Sequence, residues 1–339
     1  MVVRAFAGRV SFRVHRRVAL LIAALAGLAL TLMILSLSSG RLPLSAFDIW
    51  AALAGDASPR IRMVVVEWRL PRVLLALLLG AALGLSGAIF QSLTRNPLGS
   101  PDIIGFSTGS YSGALVVMLI FAGVQHEMAI GAVLGGLVTA AIVYTLAWKN
   151  GIQGFRLIIV GIGVSAMLGA VNLWLMRQAD LQAALAAAIW GAGSLNGLGN
   201  ADVKLAAAVL LASLPLTVIL ARAMRQLELG DDLAVSTGVS AGALRLALLV
   251  LGVALTATVT ALSGPIAFVA LAAPQIARRL ARLSGVPLAS SALVGSLLLL
   301  AADVVAQHAF ASPLPVGVMT VSIGGLYFVW LLLREIRRS

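Results

Sequence analysis

The chain has 339 residues, 61% of them hydrophobic and 11% charged, with a formal net charge of +12 and no cysteine. So few polar side chains could not cover the surface of a water-soluble domain of this length, so its solvent is lipid and no separate soluble domain fits. The basic residues stand singly or in pairs between apolar spans, unlike a nucleic-acid groove, and the lack of cysteine excludes disulfides, thiolate metal sites and cysteine nucleophiles.

A hydrocarbon core of about 30 Å takes roughly 20 apolar residues per crossing. On that measure ten helices are predicted, over 18–38, 70–92, 103–122, 128–148, 156–176, 201–222, 243–262, 265–283, 288–309 and 315–334. The first follows Arg13, Arg16 and Arg17 and is too long for a signal-peptide core, so it reads as a retained helix behind a basic segment, 1–17. An even number of crossings puts both termini on one side. With the N-terminus inside, 17 of the 24 Lys and Arg residues fall on cytoplasmic segments and 7 on outer ones, as the positive-inside rule requires. The expectation is an all-α polytopic membrane protein with one transmembrane domain over 1–339 and both termini cytoplasmic.

Five of the seven outer charges, Arg41, Arg60, Arg62, Arg69 and Arg72, sit between or at the ends of the first two helices. They invite an acidic partner, or else Arg69 and Arg72 anchor the second helix among headgroups. Between the fifth and sixth helices, 181–190 is predicted as a short outer helix followed by a glycine-rich run to Gly199. The longest polar cytoplasmic segment, 222–245, reads as two short helices, the first stopped by Gly230, the second capped by Asp231 and ended by Gly238.

Chemistry on this chain is sparse. Its two lysines, Lys149 and Lys204, lie in no phosphate-cradling loop, so any driving ATP hydrolysis belongs to another chain. An ion-coupled transporter would need mid-membrane ionisable groups. Asp303 is the clearest acid, with His308 five residues on, and Asp303 is expected near the outer end of the ninth helix accepting helix-end hydrogen bonds. A rhomboid-like protease would use Ser86 in Gly84-Leu-Ser-Gly87 with a histidine from another helix. Glycine and serine are also ordinary membrane packing residues, and Ser86 and His308 are expected at opposite ends.

Several motifs follow one another in a specific order: Arg69-Leu-Pro-Arg72, Gln91-Ser-Leu-Thr-Arg-Asn96-Pro97-Leu-Gly99 with Pro101-Asp102 and Gly105, Ser263-Gly264-Pro265-Ile266-Ala-Phe268, Ala273-Pro274-Gln275-Ile276-Ala-Arg278 and Leu314-Pro315-Val316-Gly317-Val318. From about residue 40 to the C-terminus the chain resembles the permeases for iron siderophores, haem and cobalamin. A narrower set, 96–106, 156–163, 193–198 and 229–232, resembles the ferric enterobactin branch. Gln275 stands where the family commonly has histidine.

The resemblance implies the siderophore and cobalamin type of ABC importer architecture in a bacterial inner membrane. It implies a permease dimer, with a related second permease as the expected partner, two ATPase subunits that hold the ATP and Mg, a periplasmic or lipid-anchored binding protein, and no cofactor on this chain. Arg69 and Arg72 match the family's outward docking arginines, and Gln307 replaces a third. Leu229, Gly230, Asp231, Asp232, Ala234 and Gly238 resemble the loop that couples to the ATPase. The fifth helix would line the dimer axis, which nominates Gly161, Ser165, Gly169 and Asn172 for the pathway and Gly151, Gln153 and Gly154 for the cytoplasmic gate.

Overall fold

The computed structural model describes residues 2–5, 10–13, 16–40, 42–148, 153–282 and 285–336. A two-stranded antiparallel hairpin, β1 (Val2–Ala5) and β2 (Val10–Arg13), precedes an otherwise helical chain where only a basic segment was expected. The helices are α1 (Arg16–Ser38), α2 (Ala46–Ala54), α3 (Pro59–Arg62), α4 (Leu70–Thr94), α5 (Phe106–Ile120), α6 (Gln125–Ala147), α7 (Gly154–Gln178), α8 (Leu181–Gly191), α9 (Asn200–Glu228), α10 (Asp231–Ser236), α11 (Ala241–Ser263), α12 (Val269–Ala281), α13 (Leu288–His308) and α14 (Val316–Ile336). A π-helical stretch, Met63–Arg69, joins α3 to α4 without a break.

Among the described residues, seven helical stretches are long and apolar enough to cross a membrane: α1, Pro59–Thr94, α6, α7, α9, α11 and α13. All ten predicted helices have a counterpart, but α5 and α12 are shorter than expected, at 15 and 13 residues. The causes are local. Gly105 at φ 90° delays α5, while Gly264 at φ 73°, Pro265 and Phe268 at φ 68° hold the chain out of helix before α12. Asp102 ties the two short helices together, accepting from the Ser107 hydroxyl at 2.6 Å and from the Phe268 N–H at 3.2 Å.

The central helix is α4, and small residues put it there. A Cβ on Gly84 would lie 2.1 Å from the Ser291 carbonyl oxygen, one on Gly295 2.2 Å from that of Gly80, and one on Gly87 1.7 Å from that of Ala270. The backbones of α4, α13 and α12 therefore touch directly, which is how helices associate where water gives no hydrophobic drive. A second such crossing joins α5 to α6 through Gly109, Gly113, Gly131 and Gly135. By contrast α1, α7 and α9 bury little of their surface and remain apolar on most sides, as suits helices that face lipid or another subunit.

The segment 222–245 departs from expectation. Its first part continues α9 to Glu228, so one short helix, α10, remains, and Gly230 rather than Asp231 occupies the N-cap. Gly238, at φ 85°, follows its end as predicted. The outer helix expected over 181–190 is α8, capped by the Asp180 carboxylate on the Ala183 N–H at 2.9 Å. Unforeseen is α2, whose Ser45 and Asp48 form a reciprocal capping box and whose left-handed Gly55 ends it.

Candidate functional site

Residues chosen from the sequence gather at the two ends of α4. At its start the π-helical stretch adds a residue to the turn, with the Leu70 N–H reaching back to the Val65 carbonyl. Arg69 donates to the Leu37 carbonyl in the last turn of α1 at 2.6 Å and to the Leu42 carbonyl in the connection that follows at 2.7 Å, placing a cation on the C-terminal end of α1. Arg72 forks onto Asp303 of α13, Nε to Oδ2 at 2.8 Å and Nη2 to Oδ1 at 2.6 Å, and its Nη1 donates to the side-chain oxygen of Asn196.

Asp303 is 1% exposed. A carboxylate so removed from water needs a charged or multiply hydrogen-bonded partner, and Arg72 supplies it. This corrects the expectation that Asp303 accepts helix-end hydrogen bonds. A cavity of about 440 Å³ opens beside the pair, lined by Ser39, Arg69, Arg72, Asp303, Gln307 and His308. Arg69, Arg72 and Gln307 are thus brought together, and among the described residues no carboxylate lies within ion-pair distance of Arg69.

At the other end of α4, Asp231 opens α10 and accepts from two arginines on one oxygen, Arg95 at 3.0 Å and Arg245 at 2.7 Å. The Arg245 side chain is nearly buried. Gly230, at φ 125°, turns the chain sharply between α9 and α10, a conformation that a Cβ would strain. Ala234 packs inward with no exposure, while Leu229, Leu233 and Val235 are left open and Asp232 and Gly238 are exposed. The result is a short, charge-pinned helix that leaves apolar side chains exposed. Arg95, Asn196 and Arg245 fell within segments noted from the sequence but were given no role there. Arg245 carried a usable signal, a lone cation at the start of an apolar span.

The residues nominated on α7 do not share one surface. Gly161 is buried, with a Cβ there only 2.6 Å from the Ile104 carbonyl oxygen, and Asn172 is buried with its Oδ1 unpaired among the described residues. Ser165 is half-buried and hydrogen-bonds Thr108 at 3.0 Å. Gly169 faces outward into open space. Helical periodicity causes the split, since Gly161, Ser165 and Asn172 fall on the stripe that packs into the protomer. In this structure Gly161 and Asn172 therefore face other helices of the same protomer. Gln153 caps α7 and is exposed, Gly154 abuts the Thr94 backbone, and Gly151 lies outside the described residues.

Neither alternative chemistry is assembled. Ser86 is fully buried, bonding the Gly252 carbonyl at 2.8 Å and Thr256 at 2.7 Å, while exposed His308 bonds the Val304 carbonyl at the far end of the bundle. The charge of Asp303 is taken up by Arg72, and among the described residues no cluster of three or more metal-ligating side chains occurs.

A family model described as the FecCD transport family matches residues 28–334. The chain is 54% identical over 304 residues to the ferric enterobactin transport system permease protein FepG of Escherichia coli, covering 89% of this chain and 92% of that protein. It is 36% identical over 321 residues to the hemin transport system permease protein HmuU of Yersinia pestis, covering 91% and 94%. Among solved structures, a metal-chelate type ABC transporter in an inward-facing conformation matches with a TM-score of 0.84 at 27% identity, covering 93% of this chain and 99% of that one.

Proposed function

The chain belongs to the FecCD transport family, and from that premise we propose that it is the membrane-spanning permease subunit of an ATP-driven importer that carries a ferric siderophore, ferric enterobactin, across a bacterial inner membrane. The observation that carries this reading is the likeness to the E. coli ferric enterobactin permease along nine-tenths of the chain. ATP hydrolysis belongs to separate subunits, and this chain is a conduit and not an enzyme.

In this reading the chain is a single membrane domain that crosses ten times, with both termini cytoplasmic. The apolar α5 and α14 and the 13-residue α12 complete the seven longer spans in this reading. A related permease pairs with it through the poorly buried α7, and the exposed Gly169 is the nominated residue that remains suited to the shared pathway. Two ATPase subunits, holding ATP and Mg, seat α10 in a groove. The exposed apolar side chains of Leu229, Leu233 and Val235 support that contact, and the glycine turns at 230 and 238 support its action as one rigid body. On the opposite side a binding protein delivers the cargo to the cavity beside Arg69, Arg72 and Gln307, where the uncompensated Arg69 favours an acidic contact.

The experiment is uptake of radiolabelled ferric enterobactin by cells lacking this chain, with ferric hydroxamate and cobalamin as parallel substrates and an ATPase-dead strain as control. Loss of catecholate uptake alone, matched by the ATPase strain, is the expected result. Loss of another substrate moves the cargo and keeps the permease, whereas normal uptake of all three overturns the proposal.

A further inference from the structure

The two acceptors on Arg72 are unequal. Asp303 is charged, buried and bidentate, whereas Asn196 is neutral, exposed and held through a single N–H. Both acceptors take a bond from an ionised donor, but only Asp303 adds an opposite charge and a two-bond fork to it. A carboxylate entering through the neighbouring cavity therefore meets an arginine with one partner that holds and one that can be displaced.

Displacing Asn196 has consequences beyond the contact. Asn196 sits between two left-handed glycines, Gly193 at φ 72° and Gly197 at φ 78°, in the connection from α8 to α9. That connection is seated on three other segments. The Ser194 N–H donates to the Ser263 carbonyl at 2.7 Å at the end of α11, and the Gly317 N–H at the start of α14 donates to the Gly193 carbonyl at 3.0 Å. Gly193 also lies so close to the turn before α12 that a Cβ would stand 2.4 Å from the Pro265 oxygen. Arg72 thus holds, through Asn196, a strip of chain that bridges α11, α12 and α14.

We infer that Arg72 is an exchange site: an acidic side chain of the docking protein takes Nη1 in place of Asn196 while Asp303 keeps the other two donors, and the freed α8–α9 connection passes the docking event to α11, α12 and α14. This rests on the docking reading above and adds to it the residue that yields. Asp303 keeps Arg72 in place for the exchange, and Asn196 sets how tightly the partner is received.

Asn196→Asp puts a carboxylate of the same size against Arg72 at an exposed position that requires no repacking. Binding of the importer's own substrate-binding protein to the assembled transporter in nanodiscs should fall by about tenfold or more, since the arriving acid now meets an occupied donor and a like charge. The melting temperature should hold or rise, and Asn196→Ala should bind as tightly as the parent or more so. Arg69→Gln, which removes the uncompensated charge but keeps an amide donor for the Leu37 and Leu42 carbonyls, runs in parallel. Parental binding by Asn196→Asp alongside weakened binding by Arg69→Gln would overturn the exchange and leave the docking surface standing. Parental binding by both would remove the docking surface itself, and a lowered melting temperature in Asn196→Asp would refute the pairing with Arg72.

Discussion

Arg245 places its Nη2 2.7 Å from Oδ1 of Asp231, although fourteen residues and the Gly238 turn separate them. The arginine is nearly buried and the carboxylate is half in solvent, so the carboxylate keeps a cation at the foot of α11 from being left without a counter-charge. The same oxygen receives Arg95 from the end of α4. One carboxylate thereby fixes α10 to two different helices.

Asp231→Asn should loosen that attachment. Removing a charged acceptor from two arginines costs about 1 to 2 kcal/mol once the solvent exposure of Asp231 is allowed for. The expected outcome is a fall of a few degrees in the melting temperature of the detergent-purified chain, with a larger loss of transport-coupled ATP hydrolysis in the assembled importer. Arg95→Gln, which spares the buried Arg245 pair, should show the smaller stability change of the two.

The Arg72 and Asp303 pair should respond asymmetrically. Asp303→Leu leaves a guanidinium beside a dry wall, and breaking a buried pair from one side costs about 3–5 kcal/mol. Arg72→Met with Asp303→Leu removes both charges, so it should recover most of that loss. Thermal unfolding of the three proteins decides it, and a double variant no better than the single would show that packing and not charge dominates there.

Gly84→Ala should be among the most damaging small changes available. Its methyl group would stand 2.1 Å from a backbone oxygen of α13, which cannot rotate away. Overpacking of this kind costs about 3 kcal/mol, and the yield of folded protein should drop accordingly. Gly163→Ala is the control, since a Cβ there has nothing within 4 Å and leaves yield and melting temperature unchanged.

Leu233→Ser together with Val235→Ser tests the apolar side chains that α10 leaves exposed. Both side chains are open, so folding should be unaffected. Copurification of the ATPase subunits should be reduced. If the doubly substituted chain retains them at parental stoichiometry, α10 is not their seat.

Much of the helical plan was legible because lipid imposes one simple demand, a long apolar run for each crossing. The helices that came out short, α5 and α12, escaped that reading because their starts are set by positive φ at Gly105, Gly264 and Phe268, a property of backbone geometry that hydropathy does not contain. The short helix α2 was missed although Ser45 and Asp48 spelled its cap. Of the site, Arg69, Arg72 and the α10 glycines were legible as motifs, but their partners were not. Nothing local links Arg72 to Asp303 or Arg245 to Asp231, because such pairs exist only once helices distant in sequence have packed. The α7 candidates illustrate a related limit of sequence: glycine and serine serve both a pathway and a tight crossing, and only the helix's rotation separates the buried Gly161 and Asn172 from the exposed Gly169.

Arg72 and Arg95 stand at the two ends of one helix, about 35 Å apart at 1.5 Å per residue. Between them the middle of α4 is gripped by the backbones of α12 and α13 at Gly80, Gly84 and Gly87, so it has little room to bow there. A rod held in this way transmits axial load without absorbing it. In the proposed reading, with an ATPase seated on α10 and cargo arriving beside Arg72, force applied at one end of α4 would reach the other as displacement.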